Sequence, residues 1–252
     1  MALCLGGGGA RGFAHIGAIK AFEEAGVKFD MVVGTSAGAL VGALYAAGIK
    51  SETMVRYAES LSFRDLHNGI FITPNDPMKI GKVITDLIGV KDISSFPTKF
   101  AAVAVDLIES EQAILDKGNA SIAVSASCAV PVLYKPVVFG GKHLVDGGLL
   151  NNIPADVCRM LGATKVVTVD VNPTRGGGTS GTGLIDVLKA TFHIMSANSS
   201  VSGLRHSDAI ISPDTSEYSS VSKSGWKEML DIGYEAARQS LFVGRLRSIV
   251  GK

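Results

Sequence analysis

Met31-Val32-Val33-Gly34-Thr35-Ser36-Ala37-Gly38-Ala39-Leu40 is the stretch from which the architecture of this chain is read. An apolar run enters a Gly-x-Ser-x-Gly turn, and small residues continue from Ala39 to Ala47 as a helix. Strand, sharp turn and helix form the context in which that pentapeptide is a nucleophile elbow. An elbow holds its serine in strained backbone geometry, at a cost of roughly 1–3 kcal/mol. Gly34 and Gly38 let strand and helix pass that closely. The bland alternative is a chance match in a chain with 30 glycines. Correct flanks on both sides argue against it.

Upstream lies a second glycine motif. Leu3-Cys4-Leu5 ends a strand, and Gly6-Gly7-Gly8-Gly9-Ala10-Arg11-Gly12 follows. Phe13, Ile16, Ile19 and Phe22 then mark a helix that ends near Gly26. Such a loop exposes backbone N–H groups at a helix start and suits an anion. The anion is either a cofactor phosphate or the oxyanion of a tetrahedral intermediate. Gly7 to Gly12 formally satisfies the dinucleotide fingerprint, which wants an acidic residue at the end of the second strand. Asp30 stands at the start of that strand instead. No Gly-Lys-Ser/Thr follows the glycines, which disfavours a P-loop. A serine turn beside a turn of free N–H groups fits acyl transfer better.

Downstream, Lys142-His143-Leu144-Val145 reads as a short strand that ends in Asp146-Gly147-Gly148. Alone, Asp-Gly is a common hairpin turn. Together the three motifs resemble the patatin-like phospholipases. The likeness extends to Ser125-Ala126-Ser127-Cys128-Ala129-Val130-Pro131 and to Leu149-Leu150-Asn151-Asn152-Ile153-Pro154. The compact form is most similar to bacterial members and to the catalytic domain of neuropathy-target-esterase-type lysophospholipases. The resemblance implies a Ser–Asp dyad with Ser36 as nucleophile and Asp146 as base. It implies oxyanion donors at Gly7, Gly8 and Gly9, with Arg11, Gly12, Gly34, Gly38, Gly147 and Gly148 supporting the motifs. It also implies a lipid or lysolipid ester as substrate, transient contact with a membrane surface, and neither cofactor nor metal.

Composition fits an ordinary α/β enzyme. The chain has 252 residues and a net charge of +1, enough for one large domain over residues 1–252. The near-neutral balance gives no reason to expect nucleic acid. Hydrophobic content is 46%, and mean hydropathy is +0.31. No uncharged apolar run reaches the roughly 18 residues of a membrane span. The N-terminus shows no basic leader region, so the expected compartment is the cytoplasm, with peripheral membrane contact. Cys4, Cys128 and Cys158 lie in apolar stretches without metal spacing and read as buried free thiols. Nothing in the sequence fixes an oligomeric state.

Alternating β and α segments predict a three-layer α/β/α fold with a mostly parallel, mixed sheet. Strands are expected near 2–5, 29–33, 99–106, 110–115, 142–145, 164–171 and 208–211. Helices are expected near 11–25, 37–47, 51–61, 77–88, 119–127, 154–161, 184–200 and 226–249. Phe63 to Pro77, with Ile70-Phe71-Ile72, reads either as a packed surface loop or as a lid or acyl-pocket wall that could contact lipid. Arg175 to Gly183 is glycine-rich and expected to be flexible. His193 and His206 follow Asp146 and could complete a Ser-Asp-His triad. Their placement in a helix and before a strand favours structural roles, as for His15, His67 and His143. A non-catalytic lipid- or anion-binding protein is the alternative of another class; an intact serine and aspartate argue against it.

Overall fold

The computed structural model describes residues 1–60, 74–172, 181–243 and 245–250. Eight strands form one sheet: β1 (Ala2–Leu5), β2 (Met31–Thr35), β3 (Lys99–Asp106), β4 (Glu111–Leu115), β5 (Val137–Phe139), β6 (Lys142–Asp146), β7 (Val166–Val169) and β8 (Ala209–Ile211). Helices α1 (Phe13–Glu24), α2 (Ala37–Ala46), α3 (Ser51–Ser60), α4 (Met78–Ile88) and α5 (Ala120–Ser127) occupy the first half. Helices α6 (Ala155–Met160), α7 (Leu184–Leu204), α8 (Trp226–Phe242) and α9 (Arg245–Val250) follow.

Alternation along the strands builds the layers. On β1, Leu3 and Leu5 face a core shared with α1, α2, α4, α5 and α8. Ala2 and Cys4 face the other side, against Ile153 and the Val157–Cys158 face of α6. A sheet apolar on both faces needs helices on both. The expected α/β/α architecture is therefore observed, with β8, β7, β1, β2 and β3 parallel and β4, β5 and β6 antiparallel additions.

The register on β3 positions the site. β4 pairs with Ala102 to Asp106, so it fills one edge of β3. β2 pairs with Lys99 to Val103 and β6 with Ala104 to Asp106, so both must lie on the other edge. They meet end to end: Thr35 opposes Val103, and Asp146 opposes the next residue, Ala104. Gly147 makes the meeting possible, since a side chain there would strike the Val103 carbonyl.

Three differences from the expected elements have local causes. β5 was not anticipated; it is a three-residue hairpin arm closed by Gly140 and Gly141, both at positive φ (59° and 78°). The expected single helix over 226–249 is two, because Val243 turns extended (φ −127°, ψ 121°). The helix expected over 11–25 opens with a 3-10 turn, Gly9–Gly12. Ile70-Phe71-Ile72, His67 and most of Arg175 to Gly183 lie outside the described residues.

Candidate active site

Ser36 follows β2 at φ 54° and ψ −124°, left-handed backbone that a residue with a side chain rarely adopts. The neighbours impose it. A side chain at residue 34 would strike the Gly38 carbonyl, and one at 38 the Leu5 carbonyl. The Ser36 N–H donates to Ser127 Oγ at 2.9 Å, and Ser127 Oγ donates to the Val103 carbonyl at 2.6 Å. Thr35 Oγ1 donates to the Asn151 carbonyl at 2.8 Å. The turn is thus pinned from α5, β3 and the loop after Asp146.

Asp146 ends β6 against that turn. Its own N–H donates to the Ala129 carbonyl at 3.0 Å. Oδ1 accepts the Gly148 N–H at 2.8 Å, while Oδ2 is buried without a hydrogen-bond partner of good geometry. The residue is 1% exposed. Burial pushes its carboxyl up to about 7, partly offset by the Ser36 side chain and by the Gly148 N–H. Desolvation wins because a charge in an apolar enclosure loses more hydration than two donors return. A group titrating near neutrality is suited to accept and return a proton.

The glycine loop completes the rim. Gly6 N–H donates to the Val169 carbonyl at 3.1 Å, and Gly7 N–H to the Asn152 carbonyl at 3.0 Å. The expectation that Gly7 offers a free donor fails here, because its N–H is already spent. Among the described residues the N–H groups of Gly8 and Gly9 have no protein partner. Arg11 ties the loop to the C-terminal half, through Nη1 to Asn172 Oδ1 and Nε to the Tyr218 carbonyl, both 2.9 Å. Gly12 packs against Ala37, where a side chain would come within 2.7 Å of its Cβ. Beneath the loop, buried His15 donates from Nε2 to the Gly6 carbonyl at 2.8 Å. Burial lowers its pKa to about 4, against the opposing effect of Gly6, so the ring is neutral.

Gly7, Gly8, Gly9, Ser36 and Asp146 share a cavity of about 520 Å³. Its wall is apolar along α2 (Leu40, Val41, Leu44), α3 (Met54, Ala58) and α4 (Val83, Leu87). His193 also lines it, whereas His143 and His206 are exposed elsewhere. The sequence reading assigned no role to Asn152, Ser127 or Ser196, which the fold brings to the site. Asn152 and Ser127 did lie within the quoted blocks. All three cysteines are buried free thiols, and Cys128 lines the cavity. Among the described residues no group of three or more His, Cys, Asp or Glu side chains could hold a metal ion.

Comparison with known proteins places the chain in a family. The model of a family described as patatin-like phospholipase matches residues 3–159. An uncharacterized NTE family protein of Mycobacterium bovis is 30% identical over 269 residues, covering 96% of this chain and 46% of that protein. Patatin-like phospholipase domain-containing protein 6 of Mus musculus is 36% identical over 185 residues, 68% of this chain and 13% of that protein. The chain thus spans less than half the length of these relatives. The crystal structure of VipD from Legionella pneumophila shares the fold, at a TM-score of 0.53 and 16% identity, over 94% of this chain and 66% of that one.

Proposed function

The chain belongs to the patatin-like phospholipase family, and from that premise we propose that it hydrolyses carboxylic esters of phospholipids or lysophospholipids. Residues 1–252 act as one catalytic domain. Asp146 takes the Ser36 proton as Ser36 Oγ attacks the ester carbonyl. The N–H groups of Gly8 and Gly9 bond the resulting oxyanion. Asp146 returns the proton to the leaving alcohol, and an acyl-enzyme remains on Ser36. Water then releases the fatty acid by the same steps in reverse order. The apolar wall of the cavity receives the acyl chain.

One observation carries this reading: a serine held in left-handed backbone stands beside a buried carboxyl, which burial pushes up to about 7. A binding module has no use for a strained serine or for an expensive buried acid. The test is covalent labelling by a fluorophosphonate, with hydrolysis of p-nitrophenyl, lysophospholipid and diacyl phospholipid esters. Labelling at Ser36 and turnover are expected, and Ser36→Ala should lose both while staying folded. Near-normal turnover by that variant ends the enzyme reading. A Ser-Asp-His triad keeps one observation in its favour, since His193 lines the cavity. His193→Ala is expected to retain most activity; a loss as complete as that of Ser36→Ala would replace the dyad with a triad.

A further inference from the structure

Helix α7 lies beyond the segment matched by the family model, yet its inner face is bonded to the turn that carries Asp146. Ser199 Oγ donates to the Gly148 carbonyl at 3.0 Å and accepts the Asn152 N–H at 3.0 Å. Ser200 Oγ accepts from Asn152 Nδ2 at 3.0 Å and donates to the Ser196 carbonyl at 2.8 Å. These bonds fix both the rotation and the height of α7 over Gly148. Ser196, one turn earlier, is thereby delivered to the cavity, 4% exposed.

Its hydroxyl behaves unlike its neighbours. Hydroxyls inside helices commonly return to the carbonyl four residues back. Thr191, Ser200 and Ser240 all do so here. Ser196 Oγ does not, and it has no hydrogen-bond partner. Buried polar atoms are seldom left unpaired without a functional reason. Asp146 Oδ2 is the other such atom on the cavity wall. The two side chains flank Gly148. A side chain at 148 would place its first carbon 2.8 Å from Ser196 Oγ, 3.1 Å from Asp146 Oδ1 and 3.2 Å from Asn152 Oδ1. Only glycine leaves these oxygens converging on one another.

We propose that Ser196 is a further catalytic residue, whose hydroxyl binds the hydrolytic water and aims it, with Asp146, at the acyl carbonyl. The inference rests on the acyl-enzyme reaction proposed above. In deacylation the water oxygen bonds to the acyl carbon while one of its protons passes to the Asp146 carboxylate. The tetrahedral intermediate collapses with cleavage of the bond to Ser36 Oγ. Ser36 takes the proton back from Asp146, and the fatty acid departs. Ser196 ends the step unchanged. A held water needs about two to four polar partners, and Ser196 Oγ, the Asp146 carboxylate and Asn152 Oδ1, gathered beside Gly148, supply them.

The test separates the two half-reactions on a p-nitrophenyl ester, whose leaving group departs without needing a proton. Ser196→Ala should keep the fluorophosphonate labelling rate and the p-nitrophenolate burst within about two-fold, while steady-state turnover falls about ten-fold, the scale of one lost hydrogen bond. Intact mass should show the acyl adduct accumulating in the variant beyond wild type. Ser196→Thr, which keeps the hydroxyl, should recover turnover. Equal slowing of labelling, burst and turnover would make Ser196 a packing residue. An unchanged steady state would remove it from the reaction. Wild-type protein that neither labels nor acylates would instead overturn the proposed function, and this assignment with it.

Discussion

In the proposed reaction Asp146 has to be ionised to act, and its surroundings oppose ionisation. With the carboxyl pushed up to about 7 by burial, kcat on a soluble ester should rise with pH through about 7 and fall tenfold per unit well below it. An unshifted carboxylate would give a profile flat down to pH 5, and that result would dismiss the burial argument. The same shift acts on stability. Between pH 4 and 7 the unfolded chain releases this proton while the folded one keeps it, so rising pH destabilises the fold until the folded group also ionises. The rise from 3.8 to about 7 corresponds to about 4 kcal/mol at most above pH 7. Asp146→Asn should therefore lose turnover yet raise Tm at pH 8, with the gain vanishing towards pH 4. A Tm unchanged at pH 8 would mean that water reaches the carboxyl. At this scale the meeting of Ser36 and Asp146 in one cavity was legible because motif spacing carries both residues. Gly7 was misread, since its N–H is taken by Asn152, 145 residues away and invisible to any local pattern. Ser196 was missed for the same reason, as no local signal marks a helical serine whose hydroxyl goes unbonded.

At the level of elements, the elbow survives because other segments hold it. Ser127 in α5 accepts the Ser36 N–H and donates to Val103 on β3. Ser127→Ala would leave both backbone groups buried and unpaired, a loss of about 2 kcal/mol or more. Denaturant unfolding should show it as a lower midpoint at constant m-value, and an unchanged midpoint would mean that the turn supports itself. The glycine loop is held differently, by contact. A side chain at Gly8 would come within 2.7 Å of Val171 Cγ2. Gly8→Val should displace the free N–H groups and cost ~10²–10³ in kcat with KM little changed. Loss of nucleotide binding with kcat intact would revive the dinucleotide reading. Most elements were legible because apolar periodicity and glycine punctuation agree along β1 to β4 and α1 to α5. β5 escaped because Val137 to Phe139 is shorter than any periodic window, though Gly140-Gly141 marked its turn.

For the whole molecule, the proposed reaction requires a lipid ester to reach a serine that is only 8% exposed. No helix among the described residues is long and apolar enough to cross a membrane. Helix α7 offers a surface instead. One side of it, with Ala190, Phe192, His193 and Ser196, lines the cavity. The other exposes Leu184 (74%), Val187 (49%), Leu188, Ile194 (61%) and Val201. Scattered exposed leucines mean little, but a row along one helix at the border of a lipid-sized cavity reads as a contact surface. The sequence pointed to Ile70-Phe71-Ile72 for this role, outside the described residues. The spacing in α7 was visible as a helix, but which face lacks a partner depends on its packing against α6 and the Asp146 turn. Replacing Leu184, Val187 and Ile194 with serine should remove several methylenes from the interface, each worth ~0.8 kcal/mol when buried. Even a third of that burial predicts a loss of tenfold or more in activity on vesicles, with co-sedimentation falling in parallel. Hydrolysis of a short soluble ester should stay within about two-fold, since these side chains do not line the cavity. An equal loss on both substrates would show that the row packs α7 into the fold, and that the lipid enters by another face.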